Sequence, residues 1–436
     1  MQRRRLVSLA IGVLVSTIAG GTFAFPTAGA ATEPHHGDRT RPYLVYWDQN
    51  EEQDFLTMPS GRLGQLIPPY NPNGQMCILP GGRFVTGYNP TLPSQHNPGS
   101  LKPIMQPPVG EALWDRHGNF TGTTLSVPGP FKMPGQTIGG DIPPDPNRST
   151  FNNNGTFTGC AVDRHANVFA VDLGTAQGQF PPPDDGRLIE WFAPTYKTFC
   201  IVTGPTSGGV GPHHVDGTGG LNQPGDLAFD EHGDLLMPVA GNAQDGLFSG
   251  RVLRFDHASF PRRAADCGPD GLYPRAQLRS SVFIQGSLSS LPFPQSIAHD
   301  PACDCWAVAS VIGDPAITFF DKKGRPLPSM GPIHGESITG VGQDPNGINP
   351  FGIAFAPDGT LFIVDIHIQC RAPLVGCGPA ANGGRVLKVV YTGGQPGPPT
   401  PVATGYNFPT SVTICVPHRQ NCPTPARAGD RDDTDT

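Results

Sequence analysis

Charge is scarce in this chain. Only 15% of its 436 residues are Asp, Glu, Lys or Arg, and they form no blocks. A net charge of −7 spread this thinly offers no basic patch for a phosphate backbone, so nucleic acid is not an expected partner. Helical signals are missing as well: past residue 30 no run keeps apolar residues at i, i+3 and i+4. Past Phe25 no segment is apolar for long enough to cross a bilayer. The clustered C-x-x-C spacing of a thiolate zinc site is absent. G-x-S-x-G, the P-loop and the dinucleotide fingerprint are absent too, which removes the common serine-hydrolase and nucleotide-binding readings.

Turn formers are what the chain has in quantity. Its 57 glycines and 51 prolines favour many short strands over long helices. The N-terminus reads as an export signal. Arg3, Arg4 and Arg5 precede an apolar, small-residue stretch from Leu6 to Phe25, and Ala28-Gly29-Ala30 supplies an A-x-A cleavage site. A signal peptide over residues 1–30 implies a secreted protein, free of the membrane after cleavage. In that setting ten cysteines, an even count, imply disulfides. Cys370 with Cys377 and Cys415 with Cys422 would each close a short loop. Cys303 and Cys305 share one segment and are expected to pair elsewhere, if at all; Cys77, Cys160, Cys200 and Cys267 stay unassigned. Residues 426–436 form a polar tail expected to be disordered.

The core of the chain is a repeat. Pro350 to Asp365, PFGIAFAPDGTLFIVD, is a β-hairpin with Pro357-Asp358-Gly359 as its turn. Phe157 to Asp172, Pro224 to Val239 and Pro294 to Ala309 overlay on it without gaps, and Pro409 to Cys415 repeats its first strand alone. A second signature follows, Gly-Arg and an apolar strand, at Gly186-Arg187, Gly250-Arg251 and Gly384-Arg385. Fourth strands are expected at Phe199 to Thr203, Ser281 to Gln285 and Val402 to Gly405. Near the start, Pro42 to Asp48 reads as a second strand and Gly61 to Ile67 as a third, with no first strand before them. Pro409 to Cys415 supplies it. With a further unit around Cys77, the expectation is an all-β, six-bladed β-propeller of four-stranded antiparallel blades, one domain over residues 31–425, closed by pairing the C-terminal strand with N-terminal strands.

The pattern P-x-G/D-[IL]-A-F-x-x-x-G-x-L followed by G-R-V-L resembles the NHL-repeat propellers and the wider gluconolactonase-like (senescence-marker-protein) six-bladed group. The resemblance covers most of the mature chain. It implies fold far more than activity, since that scaffold hosts lactonases, esterases, lyases and binding proteins. The gluconolactonase-like enzymes hold a divalent metal in the channel through a Glu, two Asn and an Asp, one Asn lying in a P-N-G at the start of a first strand. Here that position is Phe351, Gly225, Gln295 or Thr410 in different copies, so the family's ligand set does not carry over.

In a four-stranded meander the second-to-third and blade-to-blade connectors share one rim. Here they are the long ones: residues 174–185, 204–223, 241–249, 330–349 and 367–383. Their polar groups are the candidate ligand-binding face: His213, His214, Asp216, Asn242, His334, Glu336, Asp365 and His367. Neutral imidazoles beside carboxylates suit a divalent ion, which makes His213, His214, Asp365 and His367 the candidate metal ligands. No catalytic residue can be named. The reading is a monomeric secreted scaffold whose long-loop face binds a small molecule, a glycan or a protein. The alternative is a metal-dependent hydrolase or lyase of the gluconolactonase-like type at the channel mouth.

Overall fold

The computed structural model describes residues 43–48, 53–57, 63–65, 72–88, 110–126, 157–172, 187–203, 225–240 and 250–423, apart from 270, 288, 337–343, 345, 370–377, 381, 407 and 417–421. The expected signal peptide, the polar tail and the Cys370–Cys377 pair therefore lie outside the described residues.

The chain is an all-β propeller with four-stranded antiparallel blades. Five sheets have four strands. The Pro72 sheet runs Pro72–Ile78, Phe84–Tyr88, Gly110–Trp114, Phe120–Ser126. The Phe157 sheet runs Phe157–Val162, Val168–Asp172, Arg187–Trp191, Phe199–Thr203. The Ala228 sheet runs Ala228–Phe229, Leu235–Val239, Arg251–Phe255, Ser280–Gln285. The Pro350 sheet runs Pro350–Phe355, Leu361–Asp365, Gly384–Val389, Thr400–Tyr406. In the Tyr43 sheet, Pro409–Cys415 pairs with Tyr43–Asp48, which is followed by Gln53–Thr57 and Leu63–Gln65. The strand at Gln53–Thr57 takes the place expected for Gly61 to Ile67, whose Leu63–Gln65 core is instead the sheet's far edge.

The expected count of six four-stranded blades is corrected to five. The unit around Ile297 has three strands: Pro294–Asp300, Cys305–Ser310 and Ile317–Asp321. The segment that should supply its fourth strand contains Pro326, Pro328 and Pro332. Each proline removes a ladder donor, so this segment meets the Ile317–Asp321 edge only through isolated bridges at Pro326 and Ile333.

Local chemistry fixes the tight turns. Asp163, Asp230 and Asp321 each accept hydrogen bonds from the backbone N–H two and four residues on, at 2.7–2.9 Å. The fourth residue of each such turn takes positive φ, namely Ala166, Gly233 and Gly324. The apolar clusters lie between sheets rather than within one. Phe169, Val171 and Leu188 meet Leu235, Met237 and Phe255, for example, while Ile317 and Phe319 meet Ile353, Leu361 and Ile363. Close approach of the first strands needs glycine: a Cβ on Gly225 would collide with the Gln295 carbonyl.

Disulfides reinforce the sheet-to-sheet contacts. Cys77–Cys160 joins the Pro72 and Phe157 sheets. Cys200–Cys267 ties the long insert after Phe255 to the outer strand of the preceding sheet, where Ile201 exchanges backbone hydrogen bonds with Gly271 and Tyr273. The insert thus covers an edge that would otherwise be open. Cys415–Cys422 forms as expected. Cys303 and Cys305 do not find partners elsewhere; they bond to each other.

Candidate functional site

Residues of five sheets, with Asp226 and Leu227 just before the Ala228 sheet, meet around one cavity of about 260 Å³. Its walls include Gln75 and Met76, Cys160, Asp226 and Leu227, Ala298, Ile353 to Phe355, and Val412 to Ile414. Most of these come from first strands, which lie at sheet edges, and some of their backbone groups are bonded across to the next unit, as Met76 N–H is to Ser411 Oγ at 3.2 Å. Asp226 is the one titratable side chain among the lining residues. Its carboxylate accepts from the Leu227 N–H at 2.8 Å and from Ser296 Oγ at 3.1 Å. Ser296 Oγ in turn accepts from the Ile353 N–H at 3.3 Å. This relay links the segment just before Ala228–Phe229 to the first strands Pro294–Asp300 and Pro350–Phe355. Burial pushes the Asp226 carboxyl up to about 7, because these hydrogen bonds offset only part of the lost hydration. A buried amide lies next to it: Gln295, 5% exposed, has no partner for Nε2 among the described residues.

Sequence reasoning missed Asp226, although a signal was there. At the same register the other copies carry Gly159, Ser296, Gly352 and Ser411, all small. An acidic residue in a column of small ones stands out once the repeats are aligned.

On the long-loop side the structure brings together part of the expected face. Asp365, fully buried, ends its strand with Oδ1 accepting from the N–H groups of Asn349 and His367, each at 2.9 Å. Its Oδ2 takes the Arg385 guanidinium, with Nε at 2.9 Å and the second nitrogen also in contact. Both oxygens are thus engaged, and Asp365 could ligate an ion only by giving up part of this network. Glu336, 4% exposed, accepts from the Asp344 N–H at 3.0 Å and from Asn349 Nδ2 at 3.3 Å. Asn349 Oδ1 accepts from the Ile368 N–H at 2.8 Å. His367 has φ of 45° and is 8% exposed, and its Nδ1 has no partner among the described residues. His334 is exposed and bonds Asp314 through Nδ1 at 2.9 Å. His213, His214, Asp216 and Asn242 lie outside the described residues.

Phe351, where the gluconolactonase-like pattern has its metal-binding Asn, packs edge-on against Phe408 with ring centres 5.7 Å apart. His299, at the register of Phe355, is exposed and bonds Asp304 at 3.1 Å. Asp234 is held by Arg254 Nε at 2.7 Å and by His257 Nδ1 at 2.8 Å, so this polar cluster is already internally paired.

No family model matches the chain, and no curated protein matches it in sequence. Solved structures do resemble it in fold. A putative gluconolactonase aligns over 75% of this chain and 86% of its own at 11% identity, with a TM-score of 0.42. A luciferin-regenerating enzyme aligns over 85% and 94% at 13% identity, with a TM-score of 0.43. Regucalcin from Agrobacterium tumefaciens, a calcium-binding protein, aligns over 74% and 81% at 12% identity, with a TM-score of 0.40. The chemistry has to be argued from this chain's own residues.

Proposed function

We propose that this chain is an exported binding propeller that holds a small polar molecule in its central cavity, with Asp226 as the anchoring group. The observation that carries this reading is a single carboxyl, raised to about 7, facing a cavity of about 260 Å³. The reading includes a closed ring of NHL-like units over residues 31–425, with the three-stranded sheet lying between two of the four-stranded ones. It is supported by packing between successive first strands and by the link from Met76 N–H to Ser411 Oγ at 3.2 Å. Export is supported by the disulfides. Among the described residues no helix is long and apolar enough to cross a membrane.

A carboxyl poised near 7 gives the binding a sign in pH. A cationic amine prefers ionised Asp226 and binds more tightly as pH rises through about 7; a neutral hydrogen-bond acceptor prefers the acid form and binds more weakly. The test is a thermal-shift panel of sugars, sugar lactones and small amines at pH 6 and pH 8. Hits are expected to lose about tenfold or more in affinity in Asp226→Asn and to lose their pH dependence. Hits that bind Asp226→Asn as well as the parent would refute the cavity reading.

A second reading, a metal-assisted hydrolase or lyase on the long-loop face, draws on one observation. The buried His367 Nδ1 has no partner among the described residues and lies in the same segment as Asp365, near Glu336 and Asn349. Elemental analysis after dialysis decides it. One divalent ion per chain, lost in His367→Ala and in the His213→Ala, His214→Ala double variant, supports it; no ion in the parent removes it.

A further inference from the structure

The turn between Pro294–Asp300 and Cys305–Ser310 differs from its counterparts. Elsewhere three residues separate the closing pair, as between Asp163 and Asn167, Asp230 and Asp234, or Ala356 and Thr360. Here Asp300 pairs with Cys305 across four. The residue in positive φ, Asp304 at 53°, sits between two cysteines that are bonded to each other. Asp304 is held there by His299 Nε2 at 3.1 Å and Lys322 Nζ at 3.0 Å. Cys303 is exposed, whereas Cys305 is fully buried. The Asp300 carboxyl, only 1% exposed, lies 3.3 Å from Cys303 Sγ, and one of its oxygens and both sulfurs fall within 4.8 Å of one another.

A bond across a sequence separation of 2 restrains almost no unfolded-state freedom, unlike the bonds spanning 83 and 67 residues. Stability therefore does not explain this pair. Its layout suits exchange: one sulfur open to attack, one sheltered as the leaving group, and a carboxyl beside them. We propose that Cys303–Cys305 is a redox-active disulfide that oxidises an exposed dithiol on a protein or peptide partner.

The partner's first thiolate attacks Cys303 Sγ, the Cys303–Cys305 bond breaks, and Cys305 leaves as a thiolate. Asp300 passes it a proton. Burial raises the Asp300 carboxyl, with Asp358 adding to the effect, which keeps that proton available. The partner's second thiolate then attacks the partner sulfur of the mixed disulfide and releases Cys303 as a thiolate, which takes a proton from water. The partner dithiol has lost two electrons and two protons. The cysteine pair has gained two of each, once water restores the Asp300 proton.

The experiment equilibrates the full chain in glutathione buffers of graded poise, quenches with acid, alkylates the thiols and maps the peptides by mass. The Cys303–Cys305 pair is expected to be half-reduced at a ratio of reduced thiol squared to disulfide at least tenfold lower than Cys77–Cys160 or Cys200–Cys267, with the circular dichroism unchanged. Mixed with a reduced dithiol peptide, the chain should oxidise one equivalent. Cys303→Ser should abolish this, and Asp300→Asn should slow it about three- to tenfold while leaving the half-reduction point within threefold. The Cys303→Ser, Cys305→Ser double variant serves as the folded control. Reduction of this pair only together with the two long-range bonds would overturn the proposal. So would unchanged peptide oxidation by Cys303→Ser. Tight stoichiometric zinc binding by the reduced chain, with no peptide oxidised by the disulfide form, would replace it with a metal site.

Discussion

Replacing Arg385 by alanine is expected to destabilise the protein by about 3–5 kcal/mol, the range for removing one partner of a buried ion pair. Asp365 has no exposed surface, and its Oδ2 is held by the Arg385 guanidinium. Without Arg385 a buried carboxylate would keep, among the described residues, only the N–H groups of Asn349 and His367. The same arginine donates to the Gly347 carbonyl at 2.8 Å, so its loss also releases the loop that carries Asn349. Chemical unfolding measures the effect. Arg385→Lys should fall between parent and alanine, because lysine restores the charge but not the two-pronged geometry. Arg385→Ala with Asp365→Asn should be more stable than Arg385→Ala alone, since the uncompensated charge is gone. If Arg385→Ala costs less than about 1 kcal/mol, the pair behaves as a surface salt bridge and does not anchor the loop.

This pair marks how far the sequence could be read. Asp365 was legible as the end of a second strand, and Gly384-Arg385 as the start of a third. Their partnership follows from strand register, which places Arg385 opposite Asp365 and Arg187 opposite Asp172. Treating Asp365 as a free rim carboxylate overlooked that register. The hairpins themselves were readable because their turns carry local instructions, an aspartate binding backbone N–H groups or a Pro-Asp-Gly. The Gln53–Thr57 strand is harder to read: Pro59-Ser60-Gly61 marks a turn after it, but Gln-Asp-Phe-Leu-Thr shows no apolar alternation. The missing fourth strand of the Pro294 unit was foreshadowed by Pro326, Pro328 and Pro332, but its hairpin matched so well that a full blade was assumed. Asp226 was legible as an acidic residue in a column of small ones, but that it lines a cavity shows only once the sheets have met around it.

Glu190 was not singled out at all, and it should dominate the pH dependence of stability. It lies on Arg187–Trp191, 1% exposed, with Phe169 and Cys200 as its cross-strand neighbours. Asn167 donates to Glu190 Oε1 at 2.9 Å and to Asp163 Oδ2 at 3.2 Å, while its own carbonyl accepts from the Ala193 N–H. Glu190 Oε2 has no partner among the described residues. Burial, with Asp163 nearby, pushes the carboxyl up to about 9, against 4.5 for an ordinary glutamate. Between these values the unfolded chain releases a proton that the folded chain keeps, so stability falls as pH rises. The contribution is whole below about 4.5 and is lost progressively up to about 9. From pH 4.5 to 7 the loss is on the order of 3 kcal/mol, at 1.36 kcal/mol for each pH unit. Asp226, raised to about 7, acts in the same direction at the lower end of the window. Glu190→Gln keeps the shape and an N–H donor but cannot ionise. Urea unfolding at pH 4.5, 6 and 8 should find it close to the parent at the lowest pH and more stable at the highest, with a flatter profile between them. A variant whose profile runs parallel to the parent's would mean that Glu190 is already ionised in the folded protein, with Oε2 reached by water. In that case the remaining slope would belong to Asp226, and Asp226→Asn should remove it.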